Sequence, residues 1–131
     1  MDYEEEHLDI IHNIESVVIS IYRERRDLTD YEVDKAYAAI YQSLRNEQIG
    51  KPPVIPSGEL TTRVYDGVTQ MINWRLGRST QIAQKFALSD MLEPVSVEVV
   101  MQCLKQLRKS IELWSKEGGR QGYLFYISQF L

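Results

Sequence analysis

Residues 96–131 read SVEVVMQCLKQLRKSIELWSKEGGRQGYLFYISQFL. Within them Val100, Leu104, Leu107, Ile111 and Trp114 follow one another at steps of four, three, four and three, which draws a single apolar stripe along a helix. Lys105, Arg108, Lys109, Glu112 and Lys116 fall largely on the other side. One face requires a core, and the other suits water or an anionic partner. Burial of the five stripe residues contributes about 8–15 kcal/mol before chain entropy is subtracted, so the stripe is expected to be covered.

The ends of this helix are also written in the chain. Ser96 is a candidate N-cap, Glu98 places a negative charge in the first turn, and Pro94 discourages an earlier start. Lys116 suits the last turn, and Gly118-Gly119 can supply the left-handed conformation that ends a helix. The following run, Gln121 to Leu131, has no charged side chain. Its Tyr123, Leu124, Tyr126, Ile127, Phe130 and Leu131 predict a short, mostly buried helix docked on the rest of the fold, because adjacent Ser128 and Gln129 break the alternation of a strand.

Upstream, Gln81 to Leu88 can form two helical turns with Ile82 and Phe86 inward. A third long helix is expected over about Glu59–Leu76, capped by Ser57, with Leu60, Val64, Val68, Met71, Ile72 and Leu76 facing inward and Gly77 ending it. Gly67 in its middle costs about 1 kcal/mol relative to alanine, which suggests close helix packing. Residues 50–58 hold three prolines, two glycines and a serine, the composition of an ordered or semi-rigid surface loop.

Thr29 and Glu32 have the T-x-x-E spacing of a capping box, flanked by Leu28 and Val33 at staple positions. They open a second helix with Val33, Tyr37, Ile40 and Leu44 on its apolar face and Ala36 and Ala39 allowing close approach. The first helix is expected over about Tyr3–Arg26, with Leu8, Ile11, Ile14, Val18, Ile21 and Tyr22 on a broad face that Ile10 and Val17 widen. The fold class expected is therefore all-α. It is a compact single-domain bundle over residues 1–131, with four long helices plus one or two short ones, including a docked C-terminal helix.

A chain of 131 residues and 15.3 kDa can bury a core without disulfides or a structural metal. Cys103, the single cysteine, sits beside the apolar stripe and is expected in the core. The acidic start, with no basic residues leading into an apolar run, predicts a cytoplasmic protein without a membrane span. Residues 1–50 carry twelve acids against five bases, net −7, and residues 51–131 carry seven acids against ten bases, net +3. That imbalance can supply two surfaces of opposite sign, or draw the halves together within one fold or between two copies.

Signals of chemistry are sparse. His7 and His12 lie five apart, about 140° around a helix, and do not form a same-face metal pair. A di-iron bundle calls for Glu-x-x-His on two helices, which a chain with both histidines in its first helix does not supply. The alternation in Asp27–Glu32 resembles a calcium loop only faintly: the required glycine is missing, and the twelfth position is Ala38. No phosphate-binding loop, nucleophile elbow, CxxC pair or dinucleotide fingerprint occurs, and no cofactor is expected.

Two candidate sites remain. Lys116, Gly119, Arg120 and Gln121 combine free backbone donors with cations and could hold a small anion, opposed by the negative end of the preceding helix. Otherwise the glycines stop the helix and Arg120 caps carbonyls or meets an acid of the first half. Lys105, Arg108, Lys109 and Lys116, extended by Arg75 and Arg78, form a basic face that could contact phosphates, weakened by Glu112 and the acidic total.

The leading expectation is a non-enzymatic protein that binds another protein or a second copy of itself. Exposed aromatics among Tyr37, Tyr41, Trp74, Tyr123 and Tyr126 would serve as contacts. Nucleic-acid binding through the basic face stands second. A small-anion binder or enzyme, with Arg120 converging on Glu15, His12 or Tyr123, stands third.

Overall fold

A computed structural model describes the backbone of residues 2–79 and 93–131, and the side chains of residues 7–79 and 93–131. The expected short helix over 81–88 lies outside the described residues. Among those described the fold is all-α, with no strand: α1 (Asp2–Glu24), α2 (Asp30–Gln48), α3 (Glu59–Arg75), α4 (Val97–Gly118), a 3₁₀ turn (Gly119–Gln121) and α5 (Gly122–Ser128). No described helix is long and apolar enough to cross a membrane.

The capping signals act as their chemistry requires. Thr29 and Glu32 form the reciprocal capping box of α2, and the Ser96 hydroxyl accepts the Val99 N–H at the start of α4. Gly77 and Gly119 adopt φ of 75° and 77° where α3 and α4 end. Ser57 does not cap α3. Gly58 occupies the N-cap position, and no side chain caps the first-turn amides.

Pairings across the bundle fix its topology. Arg63 bonds Glu24 and Arg75 bonds Asp9, so α1 and α3 run antiparallel. Arg108 pairs with Asp34 and Gln48 with Glu98, so α2 and α4 run antiparallel as well. Arg78, just past α3, reaches Glu47 at the end of α2, and Tyr65 meets Ser43. Therefore α2 and α3 are parallel neighbours. α3 and α4 each pack on both α1 and α2, which places the sequence-adjacent pair α1 and α2 across the bundle from each other.

A parallel pair needs a crossover, and the proline-rich stretch provides it. From Lys51 the chain returns along α2: Pro52 C=O accepts from Asn46, while the Val54 N–H and C=O both bond the Ser43 hydroxyl. At about 3.1 Å per extended residue, the ten residues 49–58 span roughly 30 Å, enough to return the length of a 17-residue helix.

The core draws on every described helix. Val100, Cys103, Leu104, Leu107 and Ile111 of α4 meet Ile10, Ile14, Val18 and Ile19 of α1, Val33, Tyr37 and Ile40 of α2, and Val64, Val68 and Ile72 of α3. Trp114 is half-buried. Leu8, expected inward, is 50% exposed, and Ile19 takes a core position instead. Gly67 fulfils the packing role its position suggests, since a Cβ there would lie 3.0 Å from Val17 and 3.3 Å from Ile21. The charge imbalance is used internally: Arg63, Arg75, Arg78 and Arg108 of the basic part each bond an acid of the first fifty residues.

Candidate interaction groove and the docked C-terminal helix

The turn after α4 brings two different environments side by side. On its inner side α5 docks against α4, α1 and α2. Gly122 makes the approach possible, because a Cβ there would stand 2.1 Å from the Trp114 carbonyl oxygen. Trp114 and Tyr126 stack at 3.9 Å, and Phe130 meets Tyr126 edge-on at 5.0 Å. Tyr123, Leu124 and Ile127 are buried, but Phe130 is 66% exposed and Leu131 is also exposed, so the apolar tail is covered only as far as Ile127.

No residue of α5's own sequence caps it. Asp30, in the first turn of α2 and 3% exposed, does so from 93 residues away. Its carboxylate accepts the Tyr123 N–H at 3.0 Å, the Leu124 N–H at 3.3 Å and the Ser115 hydroxyl at 2.7 Å. A buried carboxylate thereby satisfies the orphan amides of one helix while sitting in the favourable first turn of another. Gln121 turns inward and donates to the Leu28 carbonyl at 2.6 Å, taking the carbonyl-capping role expected of Arg120.

Tyr123 then crosses the core, and its hydroxyl donates to Glu15 at 3.2 Å. Tyr37 lies wholly buried beside this pair, its hydroxyl without a hydrogen bond of ordinary geometry. Burial raises the Glu15 carboxyl above its ordinary range, and the Tyr123 bond and His12 offset this only in part. Burial likewise pushes the Tyr37 and Tyr123 phenols upward, with the Glu15 charge adding to both. Tyr37 and Tyr123 are thus core residues and do not serve as surface contacts. Tyr41, Trp74 and Tyr126 are half-buried.

On the outer side of the turn an open groove of about 890 Å³ runs between α2 and α4. Lys105, Arg108, Lys109, Lys116, Gly119 and Arg120 all line it, so most of the residues singled out in both candidate sites share one surface. Gln121 does not. Tyr31 and Tyr41 form part of the opposite wall, above Ile111 and the buried Asp30. Tyr31 is 70% exposed with Lys35 over its ring at 5.4 Å, and Lys105 lies 5.5 Å from the Tyr41 ring.

The charges in the groove are unevenly spent. Asp34 holds Arg108 through two bonds of 2.9 and 3.3 Å, which raises the guanidinium's affinity for its proton. Glu112 lies 3.8 Å from Lys116 in an exposed i,i+4 pair that contributes little. Among the described residues no carboxylate pairs with Lys105, Lys109 or Arg120. Arg75 and Arg78 lie elsewhere, engaged by Asp9 with Asn13 and by Glu47. Arg120 does not converge with Glu15 or Tyr123, which meet each other inside the core.

No group of three or more His, Cys, Asp or Glu able to hold a metal occurs among the described residues. Comparison with protein families, with characterised proteins and with solved structures finds no match to this chain.

Proposed function

We propose that the chain is a non-catalytic helical module that binds another protein through the groove between α2 and α4. The observation that supports this reading is the convergence of exposed Tyr31, half-buried Tyr41 and a file of cations on one open groove beside an apolar core residue, Ile111. Aromatic and cationic side chains are the types enriched where proteins meet, and a trough between two helices is a common seat for a third. The same cations would attract a phosphate backbone, but Asp34 and Glu112 lie among them and dilute the field that nucleic acid requires.

The test is a displayed library of helical peptides selected on the intact protein. Recovered clones are then compared on a variant carrying Lys105→Glu, Lys109→Glu and Lys116→Glu, positions whose side chains are exposed. Clones that bind the original chain and lose the variant are expected. A selection that enriches nothing, or only clones indifferent to the groove, removes the proposal.

A further inference from the structure

We infer that the groove's occupant is an acidic amphipathic helix about 15 to 18 residues long, laid along α4 with its apolar side inward and its carboxylates on the cationic wall. This inference rests on the reading of the groove as a protein-binding surface and specifies the partner's chemistry.

Spacing supplies the first argument. Lys105, Lys109, Lys116 and Arg120 stand at steps of four, seven and four along the wall and all face the same groove. Four and seven are the intervals at which a helix returns to one face, so Lys105, Lys109 and Lys116 form a rail nearly parallel to the α4 axis, and the turn beyond Gly119 carries Arg120 to the end of the same groove. Eleven residues separate Lys105 from Lys116, about 16 Å at helical rise, and Arg120 extends the row past the helix end. An acidic helix beside the rail repeats at the same period and can meet the cations in succession.

Charge supplies the second. Arg108 is held by the Asp34 fork and Lys116 only loosely by Glu112, whereas Lys105, Lys109 and Arg120 face the groove without a carboxylate partner among the described residues. The uncompensated sign is positive at Lys105, Lys109 and Arg120. A neutral or basic helix would leave that field unanswered, and a basic one would oppose it.

The floor and far wall supply the third. Tyr31 and half-buried Tyr41 offer apolar ring area beside the buried Ile111 that a helix with a leucine face would cover and that a bare polyanion would not. Affinity is therefore expected to depend on the order of residues in the partner as well as on its charge.

The experiment uses labelled synthetic peptides and the intact chain, read by fluorescence anisotropy. The probes are a Glu/Leu/Ala helix with its leucines on one face, a scramble of the same composition without that face, the same helix with lysine for glutamate, and a single-stranded oligonucleotide. The ordered acidic helix should bind at least about fivefold more tightly than its scramble. Lys109→Glu and Arg120→Glu should each weaken it about tenfold while leaving the helical circular dichroism unchanged. Equal binding of the two acidic peptides, or tighter binding of the oligonucleotide with a steep salt dependence, overturns the inference. If the library selection returns groove-dependent clones that are neutral or basic, the groove remains a protein site and only the acidic partner is wrong. If it returns none, both readings fall together.

Discussion

Asp30 and Asp34 stand one turn apart on α2 and carry the same carboxylate, yet they belong to different parts of the molecule. Asp30 is buried and spends its oxygens on two backbone amides and a hydroxyl, holding α5 in place. Asp34 lies at the rim of the groove and meets one half-exposed guanidinium. A difference of four residues along one helix separates a carboxylate that organises the fold from one that trims a surface charge. Removal of the first leaves buried donors without partners, whereas removal of the second leaves an arginine that water can solvate.

That contrast is broken most directly by Asp30→Ala. Loss of the cap and of the Ser115 bond should cost about 3 to 4 kcal/mol, seen as a lower denaturation midpoint. In a Trp74→Phe background, emission from Trp114 should also report the loss of its stack with Tyr126. Unchanged stability would mean that α5 does not depend on this carboxylate. Next comes Gly122→Ala, where the added methyl collides with the Trp114 carbonyl; about 2 to 3 kcal/mol is expected, with the same Trp114 signature. Tyr123→Phe keeps the ring in its slot and deletes the hydroxyl bonded to Glu15, for about 1 kcal/mol by urea unfolding.

The partly buried Glu15 carboxyl also gives the docked side of the molecule a pH dependence. Because the folded state raises the Glu15 pKa, the folded protein binds more protons than the unfolded chain from about the ordinary value of 4.5 up to the raised one. Stability from this group is therefore greatest below that window and is lost as pH rises through it. Glu15→Gln should remove the slope, so the variant should gain on the original chain as pH increases across the window. Equal pH profiles for the two proteins would contradict the burial of this charge. On the groove side, Lys109→Glu should shift stability by less than about 0.5 kcal/mol while weakening the acidic helix probe.

How much of this could be read in the chain follows from the same distinction between local and distant partners. The Thr29–Glu32 box, the Ser96 cap and the glycine stops lie within a few residues of what they satisfy, and they were legible. So was the close approach at Gly67, because a glycine inside a helical pattern costs stability that packing must offset. Asp30 reads locally as a first-turn acid, and nothing near it announces a helix 93 residues away. Gly122 resembles one more turn glycine until Trp114 is placed against it. The parallel order of α2 and α3 was hidden for a similar reason. Proline marks a break in a helix but does not say in which direction the chain leaves.

The groove was half legible. The period of four and seven on α4 puts Lys105, Lys109 and Lys116 on one face, and Arg120 follows them at the same interval. The opposite wall depends on which helix stands beside α4, information that only the topology supplies. Gln121 and Arg120, expected in one anion site, are parted because the 3₁₀ turn directs neighbouring side chains to opposite sides.

The diagonal placement of α1 and α2 has a kinetic consequence. Before residues 97–118 join, α3 can gather α1 on one flank and α2 on the other, but the resulting three-helix layer has one apolar side open to solvent. Among α1 to α4 no two successive helices pair as an antiparallel hairpin, so contacts between distant parts of the chain must form before α4 completes the packing. Folding should accordingly be slower than in a bundle whose neighbours follow chain order. Exchange of backbone hydrogens in Leu104 and Leu107 should be suppressed only when the whole assembly forms.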